Sequence, residues 1–193
     1  MTNKLPVRKR NRLEGFDYNS EGYYFITSCV DNKIQCLSEI IEGSVMLKPA
    51  GGIIYKYLEE FKIRYDHIVP EVFVIMPNHI HLILFNKRVS SNIGIIQYMS
   101  ALKTLSSRDI RMSGMNEFKW QRSFYDRIIR DEREYTNIAG YISENPMTWR
   151  EDIENPQNNS YKTEEKYYKE IIKRCVKRYF AGGQARGHAK QME

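Results

Sequence analysis

Two of the four histidines in this chain, His79 and His81, stand two residues apart in an apolar run, HIHLILF. In a β-strand this spacing places both imidazoles on one face of the sheet, while Ile80 and the leucines that follow point to the other face. Two imidazoles on one face can form a platform for a metal ion. A pair of structural histidines satisfied by hydrogen bonds is the alternative, because buried imidazoles need polar partners.

A tyrosine and an asparagine four residues apart, Tyr141 and Asn145, fall on one face of a helix predicted over residues 131–145. If that face packs over the histidine strand, Asn145 could add an oxygen ligand to the two imidazoles. Such a donor set suits Mn²⁺ or Mg²⁺ and leaves positions for phosphate oxygens. Tyr141 would then be the nucleophile at a phosphate that the metal polarises. Core packing is the alternative role, since the chain has 14 tyrosines and spacing alone does not select one.

The elements that must position these residues are predicted from hydrophobic periodicity and turn residues. Four strands are expected, at residues 23–30, 71–76, 79–85 and within 118–129. A short hairpin is expected around Glu42-Gly43, and Pro77-Asn78 should join the second and third strands antiparallel. Four helices are expected, at residues 51–65, from an N-cap at Ser91 to about Arg111, at 131–145 and within 157–180.

This order of elements predicts an α+β fold with a ferredoxin-like, RRM-like antiparallel sheet. Helices should cover one face of the sheet, and a C-terminal helical extension should follow. We expect a basic N-terminal arm at 1–13, a catalytic domain at 14–156, a C-terminal amphipathic helix at 157–180 and a disordered tail at 181–193.

Composition restricts the class of protein. The 193 residues are 41% hydrophobic and 12% aromatic, which argues against a disordered or fibrous chain. No apolar run approaches the roughly 18 residues needed to span a bilayer, and no apolar segment of a secretory signal follows the basic start. Three cysteines without paired spacing predict neither a disulfide framework nor a zinc knuckle. We therefore expect a globular cytoplasmic protein with no membrane partner.

The net charge of +6 is concentrated at the two ends of the chain. Residues 1–13 hold five basic and no acidic residues, and residues 171–192 hold six basic and no acidic ones. Basic arms suit a polyanion such as nucleic acid, because each Lys or Arg near a phosphate displaces condensed counterions. Solvated tails are the alternative. The candidate DNA contacts in these ends are Arg8, Lys9, Arg10, Arg12, Lys173, Arg174, Lys177 and Arg178.

Six short segments together carry a resemblance over about residues 8–150. They are GFDY at 15–18, YFIT at 24–27, MPNHIHL at 76–82, WQRSFYD at 120–126, IRDE at 129–132 and YISENP at 141–146. In this order they resemble the motifs of single-tyrosine HUH transposases of the IS200-like superfamily and, within it, of the REP-associated tyrosine transposases.

The resemblance implies a metal-dependent single-stranded DNA endonuclease and strand transferase that acts at hairpin-forming sequences. His79 and His81 match the metal-binding histidines of the family, and Asn145 matches the third-ligand position. Tyr141 matches the nucleophile, which would form a 5′-phosphotyrosine linkage and release a 3′-hydroxyl. The implied cofactor is Mg²⁺ or Mn²⁺, and the implied partner is single-stranded DNA with hairpin structure. Monomer and homodimer are both open.

An aromatic and basic segment precedes the catalytic helix. Under the resemblance, Trp120 and Tyr125 could stack on unpaired bases and Arg122 could hold a phosphate, with burial of Trp120 in the core as the alternative.

Two other classes of function are open: a non-catalytic single-stranded nucleic-acid-binding module, and a metal-dependent hydrolase whose two histidines hold zinc. A covalent protein–DNA adduct would distinguish the transposase from both.

Overall fold

The structure is a computed structural model that describes residues 15–87, 93–158, 163 and 166–170. Within these ranges no helix is long and apolar enough to cross a membrane. The predicted arm at 1–13, the tail at 181–193 and most of the predicted C-terminal helix lie outside the described residues. With them lie the candidate DNA contacts Arg8, Lys9, Arg10, Arg12, Lys173, Arg174, Lys177 and Arg178.

Six strands and three α-helices make up most of the described chain. In order they are β1 Gly22–Cys29, β2 Ser38–Ile41, β3 Ser44–Leu47, α1 Pro49–Arg64, β4 Ile68–Ile75, β5 His79–Asn86, α2 Ile95–Met112, β6 Tyr125–Ile129 and α3 Glu132–Glu144. A 3-10 segment, Asn145–Glu151, follows α3, and residues 166–170 are helical. Strands β2 and β3 form the predicted hairpin, with Glu42 at φ 50° and Gly43 at φ 77° in its two-residue turn.

The main sheet has the strand order β4-β5-β1-β6, and every neighbouring pair is antiparallel. With α1 between β1 and β4 and α2 between β5 and β6, this is the βαββαβ arrangement of a ferredoxin-like sheet. The predicted α+β fold class is confirmed.

The expectation that helices cover only one face of the sheet is wrong. Helices α1 and α2 pack with alternate sheet residues such as Ile26 and Leu82 in one core. Helix α3 and residues 166–170 pack on the opposite face, against Phe25 and Ile83. Both faces of β1 and β5 are therefore buried, and the histidine face lies beneath α3.

A local hydrogen bond sets where α3 begins, and a close approach to a residue distant in sequence sets where α2 begins. In α3, Asp131 Oδ1 accepts the N–H of Glu134 at 2.8 Å, as the capping pattern predicts. The predicted N-cap at Ser91, outside the described residues, is wrong, because the N-cap of α2 is Gly94. A Cβ on Gly94 would lie 2.2 Å from Asn19 Oδ1, so the helix begins where only glycine allows this close approach.

Two adjacent glycines at the start of α1 give a matched test of packing. A Cβ on Gly51 would lie 2.1 Å from the carbonyl oxygen of Leu37, whereas a Cβ on Gly52 would meet nothing within 4 Å. We expect Gly51→Ala to lower the free energy of unfolding by about 3 kcal/mol through overpacking against backbone. Gly52→Ala should raise it by about 0.5–1 kcal/mol, because alanine favours a helix over glycine. Urea unfolding of both variants measures the difference, and equal effects would contradict it.

Candidate active site

The histidine strand lies between β4 and β1 and carries both imidazoles on the face that α3 covers. His79 and His81 are completely buried, and their Nε2 atoms are 3.0 Å apart. Helix α3 brings the Tyr141 hydroxyl to 3.1 Å from His81 Nε2. The structure therefore brings together the tyrosine and the two histidines that the sequence selected, although 60 residues separate Tyr141 from His81.

A carboxylate that the sequence analysis did not select completes this cluster. Asp152 is fully buried, and its Oδ2 lies 3.2 Å from Tyr141 Oη and 4.0 Å from the Nε2 atoms of both His79 and His81. It follows the 3-10 segment after α3. The sequence analysis did not select Asp152 because it lies beyond Pro146, where the predicted helix over residues 131–145 ends.

Asn78, predicted only as a turn residue, fixes the orientation of one imidazole. Its Nδ2 donates to the carbonyl oxygens of Lys33 at 3.2 Å and Glu154 at 2.7 Å. Its Oδ1 therefore faces His79 Nδ1 at 2.9 Å and accepts the proton of that nitrogen. In the neutral imidazole this leaves the lone pair of Nε2 directed at His81, where a metal can bind it.

Asn145 contacts the cluster through its amide. Its Nδ2 donates to Asp152 Oδ2 at 2.7 Å, while its Oδ1 is buried without a hydrogen-bond partner. An unpaired buried amide oxygen on a side chain that contacts this carboxylate is a group to which a divalent cation would give a partner. His79, His81 and Asp152 offer donor atoms that all lie within 4.8 Å of one another. These side chains are the candidates to hold the metal.

Burial and neighbouring groups set the protonation states in the cluster. Burial lowers the pKa of His79 to about 3, and His81 acts in the same direction. Burial raises the pKa of Tyr141 well above its ordinary value, and Asp152 adds to this effect. Burial also acts to raise the pKa of Asp152, but its attraction to the two imidazoles and the Asn145 amide outweighs burial and lowers that pKa. At neutral pH the apo site thus holds a neutral His79, a carboxylate and a phenol.

The low pKa of His79 predicts that the metal-free protein loses stability in acid. The unfolded chain takes up the histidine proton as the pH falls through about 6.5, whereas folded His79 stays neutral until about pH 3. In the presence of a chelator, we expect the free energy of unfolding to fall by about 2 kcal/mol between pH 7 and pH 5. Urea titrations at both pH values measure the decrease. His79→Gln should remove most of it, and an unchanged slope in that variant would contradict the assignment.

Aromatic side chains enclose the cluster. Tyr168, in the helical residues 166–170, is 1% exposed and packs with its ring centroid 6.0 Å from that of His81 and 5.6 Å from that of Phe25. The Trp149 ring centroid lies 5.9 Å from that of His79. Tyr141 itself is only 4% exposed. The sequence predicted Tyr168 as part of an amphipathic helix but gave no sign that its apolar face covers this site.

The three predicted DNA contacts in the segment before α3 occupy different environments. Trp120 is buried in the core, and its Nε1 donates to Ser106 Oγ at 3.1 Å, which is the structural alternative of its two predicted roles. Arg122 is exposed beside a groove of about 320 Å³. Tyr125 is half-buried and lines a separate cavity of about 40 Å³ that Thr27 and Cys29 of β1 also line. Four residues that line the groove are basic: Lys103, Arg111, Lys119 and Arg122.

Known proteins are similar to this chain in sequence or in fold. A protein of Haemophilus influenzae described as uncharacterized is 30% identical over 168 residues, which cover 75% of this chain and 91% of the relative. A second H. influenzae protein, provisionally named a REP-associated tyrosine transposase, is 26% identical over 147 residues, covering 68% of this chain and 73% of that protein. The solved structure of a REP-associated tyrosine transposase bound to a REP hairpin superposes with a TM-score of 0.53 at 19% identity, covering 72% of this chain and 74% of that one.

The family model described as IS200-like transposase matches residues 19–145, a segment that contains both histidines and Tyr141. The chain belongs to the IS200-like transposase family. Within that family, the named relative confirms the predicted resemblance to REP-associated tyrosine transposases, and the superposed structure shares the fold. Membership of a transposase family supports the enzymatic interpretation over a non-catalytic binding module.

Proposed function

We propose that this transposase is a metal-dependent single-stranded DNA endonuclease and strand transferase that acts at hairpin-forming, REP-like sequences. The observation that carries the proposal is the position of the Tyr141 hydroxyl, 3.1 Å from His81 Nε2. A phenol this close to His79 and His81 could attack a phosphate that a metal held by these histidines would polarise. The superposed relative is described as bound to a REP hairpin, which supports hairpin DNA as the substrate.

In the proposed reaction Tyr141 Oη forms a bond to phosphorus, and the bond from phosphorus to the 3′-oxygen of the preceding nucleotide breaks. The phenol gives up its proton and the leaving 3′-oxygen gains one, so a 5′-phosphotyrosine and a free 3′-hydroxyl result. Attack by another 3′-hydroxyl reverses the step and joins new strands. Because one phosphodiester replaces another, strand transfer needs no nucleotide triphosphate.

His79 and His81 would hold the metal through Nε2, and Asn145 Oδ1 is the predicted oxygen ligand. A bound Mg²⁺ or Mn²⁺ supplies Lewis-acid polarisation of the phosphate and stabilises negative charge near Tyr141. This help matters because burial raises the pKa of the Tyr141 phenol. Asn78 keeps the Nε2 lone pair of His79 directed into the site through the hydrogen bond to Nδ1.

A covalent-adduct assay tests the proposal. The protein is incubated with Mn²⁺ and hairpin oligonucleotides from DNA flanking its own gene, labelled at either the 5′ or the 3′ end, and products are separated on a denaturing gel. Attack by tyrosine predicts a protein band that carries the 3′ label and a free fragment that carries the 5′ label, both absent with chelator. Cleavage without an adduct would instead indicate a hydrolase. Tight binding without cleavage would indicate a binding module.

The basic groove is the proposed path of the DNA strand toward the site. Gln121 lines both this groove and the small cavity beside Thr27. Thr27 in turn hydrogen-bonds to His81, with its Oγ1 2.9 Å from Nδ1. None of the described residues that line the groove is acidic. A phosphate backbone in the groove would therefore meet only basic or neutral side chains, and Glu154 lines the small cavity between the groove and Thr27.

Neutralising the groove should weaken DNA binding. We expect the double variant Lys119→Gln/Arg122→Gln to bind a single-stranded hairpin oligonucleotide more weakly, with the slope of log affinity against log salt reduced by about 0.7 per lost contact. The matched control is Lys56→Gln/Lys62→Gln on α1, which removes the same charge from residues that form ion pairs within the helix. Fluorescence anisotropy at several salt concentrations measures both. Equal slopes for the two double variants would exclude the groove from the interface.

A further inference from the structure

Asp152 is a buried carboxylate with a prearranged environment. Its Oδ1 accepts the N–H of Glu154 at 2.7 Å, and its Oδ2 accepts the Asn145 amide at 2.7 Å. It lies seven residues beyond the segment that matches the family model, which ends at Asn145. The Tyr141 hydroxyl is a third donor, 3.2 Å from Oδ2, and together these donors hold the carboxylate with Oδ2 directed at the histidine pair.

No lysine or arginine in the described ranges forms an ion pair with this carboxylate. The ion-pair contacts of Asp152 are with His79 and His81, at 4.0 Å each. The nearby Lys33 ammonium instead pairs with Glu154, at 3.5 Å. A carboxylate that is fully removed from water is costly unless a cation compensates it. The missing positive charge is what a divalent metal would supply.

The spacing of the donor atoms also fits an ion. The Nε2 atoms of His79 and His81 and Oδ2 of Asp152 form a triangle with sides of 3.0, 4.0 and 4.0 Å. The point equidistant from these three corners lies about 2.2 Å from each, close to the ligand distances of small divalent cations in proteins. The three atoms thus surround a metal-sized centre without rearrangement.

We propose that Asp152 is an anionic ligand of the metal, in addition to the two histidines and Asn145. The inference rests on the proposed function for the presence of that metal, and it adds a residue that neither the family match nor the sequence pattern selects. Because Asp152 Oδ2 also lies 3.2 Å from Tyr141 Oη, a metal held there would be adjacent to the attacking oxygen.

Mn²⁺ binding in the absence of DNA tests this role directly. Isothermal titration calorimetry should show that Asp152→Asn, which keeps the size of the side chain and removes its charge, weakens Mn²⁺ binding by about 100-fold. The matched control is Glu154→Gln, which removes another buried carboxylate, one that pairs with Lys33. This control should bind Mn²⁺ within about threefold of the wild-type chain. Melting temperatures in chelator show whether each variant is folded.

A cysteine at this position gives a test that does not depend on the asparagine variant. Asp152→Cys should lose Mn²⁺ affinity and gain Cd²⁺ binding, with a thiolate-to-Cd²⁺ ultraviolet band stronger than that of the wild-type chain, because thiolates prefer softer metals. Wild-type Mn²⁺ affinity in Asp152→Asn, no added Cd²⁺ band in Asp152→Cys, or no Mn²⁺ binding by the wild-type chain would each overturn the inference. Asp152-dependent Mn²⁺ binding without any DNA adduct would instead uphold the ligand and refute the proposed function.

Discussion

Tyr141→Phe should abolish the covalent protein–DNA adduct and reduce hairpin cleavage by at least about 10,000-fold, because it removes the only atom that forms the new bond to phosphorus. The ring can stay in place, since Phe25 packs edge-on against it with centroids 6.3 Å apart. The lost contacts include those of the hydroxyl with His81, Asp152 and Tyr167. Single-turnover cleavage of an end-labelled hairpin in Mn²⁺ measures the rate, and the denaturing gel measures the adduct.

Tyr168→Phe is the matched control for this experiment. Tyr168 is also buried in the site, with its ring centroid 6.3 Å from that of Tyr141, so the control removes a second hydroxyl from the same aromatic cluster. It should keep adduct formation within about tenfold of wild type. If the adduct were lost in Tyr168→Phe and survived in Tyr141→Phe, the nucleophile would be Tyr168 and the assignment to Tyr141 would be wrong. Both variants should bind the hairpin with wild-type affinity.

His81→Gln should reduce Mn²⁺-dependent cleavage by about 1,000-fold, because it removes a metal ligand and the imidazole nearest the nucleophile. Thr27 holds Nδ1 of this histidine and Tyr141 contacts its Nε2, so the ring lies between strand β1 and helix α3. Glutamine has a similar reach but lacks the fixed imidazole lone pair. Cleavage rates across a Mn²⁺ titration measure the loss, which higher metal concentration should restore only in part.

His67→Gln separates a site effect from a general effect of losing a histidine. His67 contacts the carbonyl oxygen of Ile93 through Nε2 at 3.0 Å and takes no part in the cluster around Tyr141. We expect its cleavage rate and Mn²⁺ dependence to match those of the wild-type chain. Equal losses in His67→Gln and His81→Gln would show that the histidine pair has no special role. Melting curves in chelator should show that both variants are folded.

Much of the fold could be predicted because the conformations that short sequence patterns favour are the ones these segments adopt in the folded chain. The alternation in HIHLILF, the turn at Pro77-Asn78 and the capping pair Asp131 and Glu134 each specify one local conformation, and the structure contains all of them. The start of α2 was missed because it depends on a contact distant in sequence. Gly94 packs against Asn19, and no local signal near Ser91 reports that contact.

The division of the helices between two faces of the sheet was also missed. Periodicity shows that α3 has an apolar side, but it does not say which face of the sheet that side covers. The face that α3 covers depends on Phe25 and Ile83, which pair in register on neighbouring strands. Ile138 and Ile142 of the helix pack with them in one apolar cluster. Side-chain packing between distant segments decides this point, and the sequence pattern is the same for either face.

The sequence by itself determined the strand that carries His79 and His81, the helical spacing of Tyr141 and Asn145, and the family motifs that contain them. These features are local, since strand alternation and helical periodicity act over a few residues. Only the tertiary structure decided that α3 crosses this strand, that Asn78 orients His79 and that Asp152 enters the cluster. Each of these contacts joins groups in different elements, and the packing of both sheet faces, not sequence spacing, brings them within hydrogen-bond distance.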